Sequence, residues 1–280
     1  MELEYYIPSP QLRPYIKLYA LFNIRKEEIL EPIKFLPMGY VYLILNFGDS
    51  FFIQRPGLFT QIDSTAMILV GQQETYHQLI AQGDLQCVCT IFQPSGMYRL
   101  LGVPVHELRC YGYQAELVLG NRLEKLYEKV YLQHPDGKNL IKAMDVFYTG
   151  LLTSANLQYR YVDLVLDCIH ASRGLMGLKE LTCLANISGR TFRRRFLELV
   201  GTSCIRYITI TRLKSILHTL RQPYPPEIQW SKLAYGMGYY DQMHFIKSFK
   251  QMTGETPGRY LSRYNSPDHM LERYFMAAID

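Results

Sequence analysis

Residues 233–261 read LAYGMGYYDQMHFIKSFKQMTGETPGRYL, and this stretch has a partner upstream. FKQMTGETPGRY (249–260) is related to FLELVGTSCIRY (196–207) at a period of 53 residues. Ser188 recurs as Asp241, Phe192 as Phe245, Phe196 as Phe249, Gly201 as Gly254, Arg206 as Arg259 and Tyr207 as Tyr260. Arg194 returns as Lys247. A fixed period of this size marks a supersecondary unit used twice. Each unit reads as helix, tight turn, helix, with cationic residues exposed on the second helix.

Ser188 and Asp241 are both suited to cap a helix N-terminus, where an oxygen accepts from an otherwise unpaired backbone N–H. At 100° per residue, Phe192, Phe196 and Leu199 fall together on the inner side of a helix over 188–200. Arg190, Arg193, Arg194 and Leu197 fall opposite, with Arg195 on one flank. No acid interrupts this run before Glu198, so it is not a self-neutralising solvated face. The planar fork of arginine donates two bonds to guanine and also holds phosphate. In the second unit Phe245, Phe249 and Met252 form the inner stripe. Gln242, Met243, Ile246, Lys247 and Lys250 lie towards the other side. Gln242 suits adenine, Met243 or Ile246 a thymine methyl, and Lys247 and Lys250 phosphates. Gly236 and Gly238 are expected to permit the turn before this helix. Trp230, the single tryptophan, is expected to pack beneath the second unit.

The charge is divided unevenly. Residues 1–156 carry 13 Lys+Arg against 15 Asp+Glu, whereas residues 157–264 carry 16 against 7. A positive field confined to the repeat region is the expected footprint of phosphate-backbone binding. Hydrophobic content of 48% with 20% charge indicates a globular chain, not a disordered one. No apolar run approaches the roughly 20 residues that span a bilayer, and MELEYYIPSP does not read as a secretory signal. Six scattered cysteines fit free thiols in a reducing cytosol. Cys87 and Cys89 share one face of a strand and are expected to be packed there.

The segment 1–112 reads as β-rich, with apolar runs 41–47, 66–70 and 86–92 separated by Gly, Pro and Asp turn signals. A short helix is expected near Tyr98–Leu101. Residues 113–156 read as two helices, over about 117–131 and 139–149. They link the domains, pair with their copies in a dimer, or pack on their own β domain. Residues 157–264 read as seven short helices. One ends at Arg173-Gly174 with a stripe of Tyr161, Leu164, Val165, Cys168 and Ile169. A long helix follows from Ser203 to Leu220, and another covers 227–235. Pro257 opens the last, and 265–280 is a tail. The fold class is α+β: a β-rich sandwich or barrel, linker helices, then an all-α domain with two helix-turn-helix units.

The second unit resembles the signature of the AraC/XylS family of bacterial transcription regulators. The matching residues are Leu233-Ala234, Gly238-Tyr239, Asp241, Phe245, Phe249, Gly254, Thr256, Pro257 and Tyr260. The first unit resembles the family's other helix-turn-helix through Leu181, Ser188, Arg190, Phe192, Arg194, Phe196, Gly201 and Ser203. Thr182 stands where the family commonly has alanine. Its hydroxyl, expected to be buried, can bond the carbonyl four residues back. Cys204 stands where a proline is expected. The resemblance implies a long connecting helix that holds both recognition helices on one face of double-stranded DNA, about 34 Å apart. By carry-over, Arg190, Arg193 and Arg194 read bases in the first unit; Gln242, Met243, Ile246 and Lys247 do so in the second. The N-terminal half resembles the cupin-like sensor or dimerisation domains of such regulators. A small-molecule effector, RNA polymerase and a second copy of the chain (a homodimer) are the further partners considered. The expected role is that of a cytoplasmic transcription factor, an activator or a repressor.

An enzyme needs a constellation that the sequence lacks. The seven histidines include no His-x-His pair, and no Gly-rich phosphate loop or nucleophile motif is visible. Neither a catalytic residue, a metal nor a cofactor is therefore assigned.

Overall fold

The computed structural model describes residues 2–62, 67–108, 112–114, 137–152, 160–221 and 228–264. Among them, the first half holds ten strands. These are β1 (Glu2–Tyr6), β2 (Ile16–Ile24), β3 (Ile33–Phe35), β4 (Val41–Asn46), β5 (Phe51–Arg55), β6 (Leu58–Ile62), β7 (Met67–Val70), β8 (His77–Ala81), β9 (Leu85–Phe92) and β10 (Gly112–Gln114). They form a six-stranded sheet of order β1-β2-β9-β4-β7-β10 and a four-stranded sheet of order β3-β8-β5-β6. The pairings are antiparallel, a pattern that short turns can close. The β5–β6 hairpin turns at Pro56-Gly57, where Gly57 has φ +79°.

Strand β9 shows why the sheets stack as they do. It is apolar at nearly every position, which is unusual for a strand with one wet face. Leu85, Cys87, Cys89 and Ile91 join the core between the two sheets. Val88 and Phe92 join a second core on the sheet's other side. That side is covered by α1 (Gly96–Leu101) and α2 (Gly137–Leu151). Tyr148 on α2 donates its hydroxyl to Thr90 Oγ1 at 3.1 Å, and Asp145 accepts from Tyr19 Oη at 3.0 Å. Thus α2 packs on its own β-sheet. The helix expected over about 117–131 lies outside the described residues.

Seven helices follow among the described residues: α3 (Arg160–Ala171), α4 (Leu178–Ala185), α5 (Gly189–Val200), α6 (Cys204–Leu220), α7 (Trp230–Gly236), α8 (Gln242–Thr253) and α9 (Pro257–Tyr264). Three readings from periodicity need correction. Leu164 is 48% exposed, and the buried stripe of α3 is Val162, Val165, Leu166 and Ile169. The stripe is rotated because α3 packs against both α4 and α6, so the wider arc is apolar. Helix α7 begins at Trp230, with Gln229 in the cap position, and runs through Gly236. Gly236 is therefore helical, and Gly238, at φ +72°, supplies the turn alone.

The helical region is not a detached unit. The first helix-turn-helix has its own core, built from α3, α4, α5 and the start of α6. The second shares a core with the sandwich: Leu213, Leu217, Phe245, Phe249 and Tyr260 pack in one cluster with strand residues. Between the sheets an apolar cavity of ≈ 110 Å³ remains.

Polar contacts also tie the two halves together. Glu255, 7% exposed, accepts from Lys34 Nζ at 2.7 Å and from Arg263 Nη2 at 2.7 Å. Glu74 pairs with Arg206 Nε at 3.4 Å, its carbonyl accepts from Arg206 Nη2 at 2.8 Å, and its carboxylate accepts from Thr202. Asp163 on α3 accepts from Ser95 Oγ at 2.6 Å and pairs with Arg99. Tyr207 and Gly39 meet closely. The Tyr207 hydroxyl would stand 3.1 Å from a Cβ on Gly39, which has φ +82°.

Phe249→Ala removes a fully buried ring from a core that spans both halves. It is expected to lower the stability of the whole chain by about 3–5 kcal/mol. A urea melt within about 1 kcal/mol of wild type, the scale of one buried methylene, would show that the ring is not packed there. A second test concerns the seam. Burial pushes the Glu255 carboxyl up, but hydrogen bonds from Arg263 and Lys34 outweigh it and hold the group below the usual range. A lowered folded pKa contributes stability above the unfolded value, and that contribution is lost as the pH falls through the folded one. Glu255→Gln is therefore expected to cost about 2 kcal/mol at pH 7. The cost should fade as the pH drops below the ordinary glutamate value, about 4.3. Urea melts of both proteins at several pH values check this, and a cost that does not change with pH contradicts it.

Candidate nucleic-acid interface

Each recognition helix starts with the cap read from the sequence. Ser188 Oγ accepts from Thr191 N at 3.2 Å, and Asp241 Oδ1 accepts from His244 N at 2.7 Å. The caps fix where each helix begins and hence which residues occupy its first turns. Both helices end at a left-handed glycine, Gly201 (φ +87°) and Gly254 (φ +82°). Their inner sides are Phe192, Phe196 and Leu199 on α5, and Phe245, Phe249 and Met252 on α8, all fully buried.

Burying these rings fixes the opposite faces. Arg190, Arg193 and Arg194 are exposed on α5, and Leu197 stands with them at 40% exposure. Arg195 is half-buried and paired with Glu198 at 2.8 Å. Glu198 also accepts from Tyr98 Oη at 3.1 Å. Arg195 therefore lies on the flank that meets the β half, apart from the other three. On α8, Gln242, Met243 and Lys250 are exposed. Lys247 is exposed beside them. Ile246 is half-buried and packs against the core, so it offers one edge at most. The β half reaches α5 through the short turn Val105–Leu108 and through α1, on the inner and flanking sides. Among the described residues, the arginine face is left open.

The turns of the two units differ. Asn186 takes the left-handed conformation (φ +49°) directly after α4, whereas Met237 intervenes between α7 and Gly238. Thr182 Oγ1 donates to the Leu178 carbonyl at 2.8 Å, as its position suggested, although the residue is half-buried rather than buried. Trp230 stacks on Phe245 with ring centroids 6.3 Å apart.

Sequence reasoning misses two exposed aromatics. Tyr240, 85% exposed, directly precedes the Asp241 cap, and Tyr235 is 64% exposed on α7. The tandem Tyr239-Tyr240 carries the signal: with Tyr239 buried against Phe245, its neighbour must face outward.

Asp241→Ala removes the acceptor for the His244 N–H and is expected to cost about 1 kcal/mol. Asp241→Asn keeps an acceptor and should recover most of it. Thermal melts of the two variants test the cap, and equal losses would show that the charge alone matters.

A family model described as a helix-turn-helix domain matches residues 182–263. A second, described as a domain of unknown function (DUF6597), matches residues 4–111. No curated protein matches the sequence. Among solved structures, ToxT from Vibrio cholerae O395 is 12% identical, with a TM-score of 0.46, covering 89% of this chain and 98% of its own. A ToxT structure from strain SCE256 described as bound to an unsaturated fatty acid is 14% identical, with a TM-score of 0.42, covering 87% and 94%. The AraC-like transcriptional activator CuxR is 11% identical, with a TM-score of 0.22, covering 98% and 91%. The family match over 182–263, together with the repeated helix-turn-helix units whose second copy carries the signature, identifies this region as a helix-turn-helix domain of the AraC type.

Proposed function

We propose that this protein binds specific double-stranded DNA with α5 and α8 in successive major grooves, and that a small molecule at the β half modulates this binding. In this reading 1–112 is the sensor and 157–264 the DNA-binding domain. One observation carries it: two capped helices, each anchored by a buried phenylalanine pair, present open polar and cationic faces. Arg190, Arg193 and Arg194 read bases or hold phosphates in the first groove. Gln242 and Met243 read bases in the second, with Lys247 and Lys250 on the backbone. The effector reading is supported by the cavity between the sheets, in the core that the second unit shares.

The decisive experiment is a salt titration of binding to a random duplex and to the DNA upstream of the chain's own gene. A log–log slope equivalent to several released counterions, with a tighter site on the upstream DNA, is the expected result. No binding to either at low salt would reject the reading. Arg194→Ala should weaken the specific site by about 1–3 kcal/mol without altering the melt. An unchanged ratio of specific to random binding would remove Arg194 from the base-reading set.

A further inference from the structure

We propose that the cavity between the two sheets binds a compact, uncharged, apolar molecule with one hydroxyl or carbonyl group, held by His77, and that strands β3 and β8 relay its occupancy to the second helix-turn-helix unit. This deepens the effector reading above and rests on it.

The lining sets the chemistry. One wall is the inward row of β9, Cys87, Cys89 and Ile91; the other includes Ile33, Phe35 and Leu79. Among the described residues, no Lys, Arg, Asp or Glu lines the cavity. Burial pushes the Cys87 thiol up to about 12, so it stays uncharged. An ionised ligand would enter without a counter-charge in that lining, at a cost of several kcal/mol. Gln73, the nearest amide, already donates to the Gly71 carbonyl at 3.0 Å.

His77 is different. Its Nδ1 is buried and has no hydrogen-bond partner among the described residues. Its ring is held flat against Phe35, with centroids 5.2 Å apart and planes 13° from parallel. Burial, and the Arg55 guanidinium nearby, push its pKa down to about 4. Arg55 follows the lining residues Phe51 and Ile53 on the same row of β5 and stands beside His77 at the cavity's margin, outside the lining itself. A neutral imidazole offers one donor and one acceptor. A buried polar group left unpaired is costly, and a ligand hydroxyl or carbonyl removes that cost. The cavity, ≈ 110 Å³, is smaller than the roughly 150 Å³ of dry apolar space that admits benzene, so a ligand of one ring enters only by displacing part of the lining.

The relay follows from strand alternation. Ile33 and Phe35 face the cavity, and Lys34 between them reaches Glu255 just past the end of α8. In the partner strand Phe35 pairs with His77. Tyr76, one residue before His77, donates its N–H to the Met252 carbonyl at 2.8 Å, and its ring packs over Gly254. A molecule that displaces Phe35 or His77 moves the residues that grip the C-terminal end of α8.

The test uses the full chain and three probes: 4-methylphenol, toluene and ionised 4-methylbenzoate, followed by calorimetry and by the imidazole nitrogen signals of His77. Binding of 4-methylphenol about tenfold tighter than toluene, with a shift of the His77 signals, is expected from one added hydrogen bond. His77→Leu should reduce that preference to near unity. If this variant fails to fold, the His77 signals of the wild type decide the point alone. Equal or tighter binding of 4-methylbenzoate would overturn the uncharged class and leave the effector reading standing. Binding of none of the three would overturn both. Hydrogen exchange of residues 252–256 should slow when 4-methylphenol binds, and no change there would overturn the relay. DNA binding does not enter these readouts, so the salt titration judges the regulator reading separately.

Discussion

Helix α6 has to be covered on two opposite sides. Its first half buries Cys204, Tyr207 and Ile208 on one face, and its second half buries Leu213, Ile216, Leu217 and Leu220 on the other. A helix with an apolar stripe on each side needs neighbours on both. The first half of α6 is enclosed by α3 and α5, completing the core of the first unit. The second half is enclosed by α8, α9 and the sandwich. Each helix-turn-helix unit is therefore fixed to the same rod, and the β half supplies part of the rod's cover. Motion of one recognition helix relative to the other requires apolar surface of α6 to be exposed.

The same constraint explains how the charges are distributed. Three of the acids in the basic region, Asp163, Glu198 and Glu255, are engaged with side chains of the β half. They neutralise cations and bind hydroxyls at the seam, so they do not neutralise the arginine face. The excess positive charge is left on the open side of α5, with Arg195 drawn off to Glu198. Placing the acids inward both fastens the halves and leaves a field that phosphate can feel.

The local features of the helical region were legible in the sequence because each has a local cause. Ser188 and Asp241 cap through bonds to residues three positions on, and the Phe192–Phe196 and Phe245–Phe249 pairs follow from helical spacing alone. The central strand β9 was legible as an apolar run, but not the reason for its double burial, which is the helix α2 packed beyond it. Leu164 was misplaced because the arc buried on α3 is set by the neighbours α4 and α6, which a single wheel does not contain. The seam was hidden for the same reason. Lys34 and Glu255 are 221 positions apart, and nothing at either position distinguishes a buried pair from two surface charges.

The seam and the DNA face should also respond differently to salt, because they differ in burial. Charges more than a Debye length apart in solvent, about 8 Å at physiological ionic strength, are largely screened, while buried pairs are screened much less. Glu255 and its partner Lys34 are 7% and 13% exposed, whereas Arg190, Arg193 and Arg194 face solvent. Added salt therefore screens the exposed charges of α5 before it loosens the grip of the sandwich on α8. A change in packing at Phe35 or His77 inside the apolar core reaches Lys34 and Tyr76 along the same two strands, a route to the seam that salt does not screen.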